Sequence, residues 1–177
     1  MKSDVITINN KGRGFKEAVE ATKKVADFQG LGEKDSLQLQ LCAEEMLSMA
    51  RSITGEVSAS YWIECEDKKF DLNMTTETVM DKEKRELLIA ASTSRKNEAA
   101  GTFLGMLRDA FEEAMLADSD KIYYQLPDDV AADVVGRYID SPEWDGYEQS
   151  ILRRLVDDIK ISIKGGVVTM TVTKNVK

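Results

Sequence analysis

The chain has 177 residues, 42% of them hydrophobic and 32% charged, which is enough for one ordinary core and points to a single globular domain over residues 1–177. With 32 acidic against 24 basic residues the net charge is -8, and no long Lys/Arg run occurs, so a nucleic-acid partner lacks the clustered positive charge it needs. No apolar run reaches the roughly 18 residues of a membrane span, and the start MKSDVITINN lacks the apolar core of a signal peptide, so a cytoplasmic protein is expected.

There is no histidine. That removes the Ser/His/Asp triad, the Cys/His pair, the phosphohistidine relay and the imidazole base in one step. Any general base must be a carboxylate, a lysine, a tyrosine or a thiolate. Cys42 and Cys65 are too few for a disulfide framework, and two buried core thiols are expected of them rather than a metal site.

In chain order, Val5 to Ile8 reads as a short strand, and the glycine-containing turn Asn9 to Gly14 leads into a helix from Phe15 to Phe28, stopped by Gly30 and Gly32. Asp35 or Ser36 is expected to cap a second helix, largely buried through Leu41, Leu47 and Met49. Val57, Ala59, Tyr61, Ile63 and Cys65 alternate with polar residues and Trp62, the period of a half-buried strand. A tight turn at Asp67 to Lys69 returns the chain into an antiparallel partner carrying Phe70, Leu72, Met74 and Thr76.

Asp81 to about Ser92 predicts a charged helix, and Ser92 to Glu98 a polar turn. Phe103, Leu107, Ala110, Phe111 and Ala114 form an apolar stripe on a helix ending near Leu116, for which core packing is the expectation. A short extended piece, KIYYQL, precedes a helical segment from Asp128 to Tyr138 and an irregular loop, DSPEWDG. Ile151, Leu152, Leu155, Val156 and Ile159 then suggest a last helix, and IKISIK, Gly165-Gly166 and VVTMTVT a hairpin. This order predicts an α+β fold, a two-layer sandwich with helices on one face of a mostly antiparallel sheet.

Two local sequences, AEEMLSMARSI and the tail ILRRLVDDIKISIKGGVVTMTV, together with the element order, make the chain resemble the GHKL (histidine kinase-like) ATPase fold, in particular its anti-sigma-factor serine kinase branch. The first segment is similar to that family's motif E-E-A-x-x-N-A. On that pattern Glu44 and Glu45 fill the acidic positions, Glu45 that of the base, and Met49 stands where the family has the asparagine that binds magnesium. A thioether offers a hard cation almost nothing, and phosphoryl transfer depends on that metal. In the region of the family's aspartate-and-glycine motif the chain reads TTETVMD, with only Glu77 or Asp81 to stand in for the aspartate and no glycine to let backbone approach an adenine. Before the last helix only Gly146 remains of a phosphate loop, and GTFLG at Gly101 to Gly105 precedes the wrong helix, so close packing of small residues is expected there.

The resemblance therefore implies a retained architecture with a lost nucleotide site: no cofactor, no metal, and a regulatory role exerted through a protein partner such as a sigma factor, an antagonist or a second copy in a homodimer. The alternative it leaves is an ATP- and magnesium-dependent serine/threonine kinase with divergent motifs. Glu45 itself also reads as an ordinary helix-surface carboxylate. Trp62, Trp144 and Tyr147 are candidate partner-surface residues, since aromatic side chains outside a core mark contact faces.

Overall fold

The computed structural model describes residues 1–9, 13–55, 58–123 and 147–176, with side chains outside positions 118–150. Among the described residues five strands form one sheet: β1 (Ile6–Ile8), β2 (Ala59–Glu66), β3 (Lys69–Glu77), β4 (Asp158–Lys164) and β5 (Val167–Asn175). Their order is β1-β2-β3-β5-β4, and every neighbouring pair is antiparallel. The helices are α1 (Phe15–Phe28), α2 (Glu33–Thr54), α3 (Lys82–Ala91), α4 (Phe103–Tyr123) and α5 (Tyr147–Leu155), with a 3-10 turn at Glu98–Ala100. The predicted α+β sandwich is the fold observed. No helix among the described residues is long and apolar enough to cross a membrane.

The two-residue period of the strands decides the layers. Tyr61, Ile63, Phe70, Leu72, Ile161, Val168, Met170 and Val172 all point to one face and are fully buried. On this face lie Ala18, Val25 and Ala26 of α1, Leu152 of α5, and the central helix α2, which buries a little under half of its girth through Leu39, Cys42, Ala43, Met46, Leu47 and Met49. Each such side chain withdrawn from water stabilises the fold by about 1.5–3 kcal/mol before chain entropy is set against it. Register puts Thr7, Ser60, Thr75, Thr169 and Ser162 in one row across the opposite, polar face, with Thr75 and Thr169 hydroxyls 3.2 Å apart.

Turn chemistry fixes that register. Asp67 and Lys68 have φ of 47° and 63°, the left-handed pair of a two-residue hairpin turn whose twist suits the strands. Gly14, at φ 91°, opens α1 where a Cβ would come within 2.2 Å of the Thr7 carbonyl oxygen, and its N–H donates to Glu17 at 2.8 Å. Only glycine satisfies both the backbone angle and the close approach.

Several boundaries differ from the sequence expectation. Helix α2 starts at Glu33 behind an extended Gly32 rather than at a cap on Asp35 or Ser36. Its first turn holds Glu33 and Asp35, whose charges favour the positive end of the helix dipole. Leu41 is more than one-third exposed, unlike Leu47 and Met49. Helix α4 runs on to Tyr123, so the first three residues of the expected extended piece KIYYQL are helical. Ile159 belongs to β4, because α5 ends at Leu155 and Asp157 N–H already bonds the Thr173 carbonyl at 2.9 Å. The segment from Asp128 to Tyr138 and the loop with Trp144 lie outside the described residues. The largest correction concerns α4. Phe103, Leu107 and Phe111 were expected in the core and are 69%, 54% and 66% exposed.

Candidate functional site

The positions singled out on the ATPase pattern lie on α2 and around the end of β3. Glu44 is exposed and Glu45 half-buried on α2, while Met49, one turn beyond Glu45, is wholly buried in the core cluster. A thioether in that setting packs and does nothing else. Glu77 is exposed at the end of β3. Asp81 serves the local structure, since its carboxylate caps α3 by accepting from the Lys84 N–H at 2.7 Å, with the Lys84 ammonium 3.6 Å away.

Near Gly101 to Gly105 the small residues serve contact. A Cβ on Gly105 would meet the Ala99 carbonyl oxygen at 2.2 Å, so α4 is pressed against the 3-10 turn there. Both cysteines are free and buried. Burial pushes the Cys42 thiol up to about 11, and burial likewise raises Cys65, so neither is a ready nucleophile.

Trp62 is half-buried on the polar face of the sheet. Its indole N–H donates to Glu64 at 3.1 Å, and the Lys2 ammonium lies 5.2 Å from the ring centroid. Lys2 also bonds Glu64 at 2.9 Å, and these two donors, Lys2 foremost, hold that carboxyl below its ordinary value. Tyr147 opens α5 with its side chain outside the described atoms, and Trp144 lies outside the described residues, so of the three aromatic candidates the structure places Trp62 alone.

Sequence reasoning missed the arrangement around α4. At 100° per residue, Phe103, Leu104, Met106, Leu107, Ala110, Phe111, Ala114, Met115 and Ala117 fill about half the circumference of the helix over residues 103–117 without a polar interruption, and farther along Asp118 and Lys121 fall at the angles of the same arc. That half faces away from the molecule: Leu104 is 76% exposed, and Met106 and Met115 are more than half exposed. The other half, with Gly105, Asp109, Glu112 and Leu116, faces the body. Asp109 takes a charge-assisted bond from Nη2 of Arg85 and a second from the Asn97 side-chain amide at 2.6 Å. Glu112 accepts from the Gly165 N–H at 3.1 Å. Asn97 in turn both accepts from the Ile163 N–H at 2.8 Å and donates to the Ile163 carbonyl at 2.9 Å. Helix α4 is thus fastened by its polar side.

Between α3, the 3-10 turn and α4 runs a groove of about 880 Å³. Ile89, Met106 and Leu116 contribute apolar wall, and Lys82, Arg95 and Lys96 contribute positive charge. Glu86, Glu98, Asp109 and Glu113 contribute negative charge. None of Glu44, Glu45, Met49, Glu77 and Asp81 lines it. A signal for this site was present in the sequence: an apolar arc of half a helix is wider than the roughly 100° stripe that a helix buries against one core.

A scan against protein-family models and a search of curated proteins each find no match. Among solved structures the chain is similar to a chain in the crystal structure of the SiaB-SiaC complex from Pseudomonas aeruginosa, with a TM-score of 0.53 and 8% identity over 97% of this chain and 89% of that one. At that identity the likeness is one of fold.

Proposed function

We propose that the protein is a non-catalytic regulator of histidine kinase-like ATPase fold, one domain over its whole length, that acts by binding another protein through the outward half of α4. The observation that carries this reading is the inverted helix: its polar side is bonded to the domain and its apolar side is offered to solvent. The two phenylalanines alone, each about two-thirds exposed, present roughly 250 Å² of apolar surface, and Leu104, Met106, Leu107 and Met115, each more than half exposed, extend it into a contiguous patch of the kind that marks interaction sites. The occupant we assign is a partner chain with a largely apolar helical face, in the manner of helix-in-groove recognition, because the arc over residues 103–117 carries no charge to be matched. A sigma factor, its antagonist or a second copy of this chain are partners of that kind, and the fold neighbour is itself part of a two-protein complex. Core burial of Met49 and the capping role of Asp81 support the loss of nucleotide chemistry.

A photo-crosslinking residue placed at Leu107 in the native cell tests the face. A discrete protein adduct is expected at Leu107, absent from a control at exposed Glu20 and abolished by Phe111→Glu; equal labelling at both positions would remove the assignment. Titration calorimetry with millimolar ATP and magnesium tests the other half of the reading. No saturable heat is expected, whereas magnesium-dependent binding would favour the kinase alternative, with Glu45 as base.

A further inference from the structure

Along the outward half of α4 the apolar residues are spaced for a second helix. Phe103, Leu107, Ala110, Ala114 and Ala117 follow one another at steps of four, three, four and three residues, the spacing by which one helix seats its side chains between those of another. All of them are exposed. The seam is graded, with a phenylalanine and a leucine in its first half and alanines in the rest. Such a seam fits a seam of the same kind laid head to tail, because bulk then meets space at both ends. Laid in the same direction, two copies would set Phe103 on Phe103 and leave a gap between the alanines, and a gap forfeits the contacts that hold a pair together.

The polar end of the helix agrees. Position 121, the next on the seam, is a lysine, and position 118 beside it is an aspartate. With Phe103 of one helix opposite Ala114 of the other and Leu107 opposite Ala110, positions 118 and 121 pass beyond the first residue of the opposing helix, so the two overlap only where the arc is uncharged. A same-direction pair would bring position 121 against its own copy and set the acids at 113 and 118 near each other. The seam is also presented as a fixed ridge, since Asp109 and Glu112 on the opposite side of α4 are bonded to Arg85, Asn97 and Gly165.

Resting on the reading of α4 as the docking face, we infer that its partner is a second copy of this chain, the two α4 helices packed antiparallel with Phe103 and Leu107 of each against Ala114 and Ala110 of the other. The contact uses the same patch on both copies, so it closes at a dimer and does not propagate. It covers on the order of 1,000 Å² over both copies, which suits a reversible association. Each copy carries a net charge of -8, so salt screens the repulsion between them and strengthens the pair.

Sedimentation velocity on the full chain tests the pairing. The wild type should pass from monomer to dimer between low-micromolar and several-hundred-micromolar concentration, with the midpoint falling as salt is raised. Leu107→Glu should raise that midpoint by about tenfold or more, because it places a charge in an apolar contact. A wild type that stays monomeric, or a dimer indifferent to Leu107→Glu, overturns the inference. Direction is read with engineered single cysteines, the natural Cys42 and Cys65 being buried. An equal mixture of Phe103→Cys and Ala114→Cys chains should give mainly the mixed disulfide on mild oxidation, whereas like-with-like disulfides at both positions would establish a same-direction pair and overturn the antiparallel one. The crosslink at Leu107 keeps the two readings apart. An adduct with the mass of two copies supports both. An adduct with a different polypeptide, from a chain that is monomeric by itself, keeps the docking face and overturns the self-pairing; labelling no different from that at Glu20 removes the docking face and this inference with it.

Discussion

Position 49 carries the strongest functional message in the sequence. On the resemblance to the ATPase pattern a methionine stands where a metal-binding asparagine would be expected, and the structure puts its side chain at 0% exposure among the core residues. Cys42, on the same helix, is buried in the same way, and here a solution property follows. An unfolded thiol ionises near its ordinary 9.0, whereas the folded chain keeps Cys42 neutral up to about 11, chiefly because burial disfavours the thiolate. The raised value leaves stability unchanged below pH 9 and removes it as pH climbs from 9 toward 11, by about 2–3 kcal/mol at most. Tyr61, whose hydroxyl is also kept protonated by burial and lies 2.8 Å from that of Thr22, adds a decline of its own above pH 10. Chemical denaturation at pH 8, 9, 10 and 11 should therefore show a steeper loss in the wild type than in Cys42→Ala, with the two curves parallel below pH 9.

Strands were more legible than helices in this chain. Alternation of large apolar and polar residues over Tyr61 to Cys65 and Phe70 to Thr76 has one physical solution, a sheet with one wet face, and the register follows from two short turns. Helix boundaries depend on caps, and α2 begins behind an extended Gly32 instead of at the expected Asp35 or Ser36 and ends on a left-handed Gly55. Helix α4 misled because a hydrophobic stripe states only that a face is removed from water, not by which chain. Its attachment rests on polar side chains, Asp109 foremost, whose partners Arg85 and Asn97 come from other parts of the chain and have no local signature. Two sets of substitutions separate these roles. Leu107→Glu with Phe111→Glu lies on the exposed half and should leave the melting temperature within a degree or two, since surface changes stay near ±0.5 kcal/mol. Asp109→Ala strands the buried Arg85 charge and should cost about 3 kcal/mol in thermal unfolding.

For the molecule as a whole, the two faces of the sheet divide the labour. One is a core shared with α1, α2 and α5; the other is a polar surface crossed by rows of hydroxyls, where Thr171 bonds Asn73 at 2.9 Å and Thr173 bonds Asp71 at 2.6 Å. The wet face is neither strongly charged nor apolar, and α4 is where this chain departs from an ordinary globular surface. The architecture could be read from element order because each segment's local preference agrees with the global fold. The exposure of α4 could not, because its apolar half is not taken up by the core among the described residues.

The outer strand β4 has a neighbour that is not a strand. Thr93 donates its N–H to the Ile159 carbonyl at 2.8 Å and accepts the Ile159 N–H on its hydroxyl at 2.8 Å, and Asn97 repeats the exchange with Ile163. The backbone N–H and hydroxyl of Thr93 and the side-chain amide of Asn97 thus imitate the ladder that a further strand would supply, and they stop the row of amides from recruiting one. For a protein that displays a bare apolar helix, this matters to its colloidal life: contact between copies can proceed by the reversible meeting of helices, while the route to cross-β polymer is plugged at that rim. Asn97→Leu would pull the plug, and insoluble thioflavin-positive material should then form at concentrations where the parent chain stays clear.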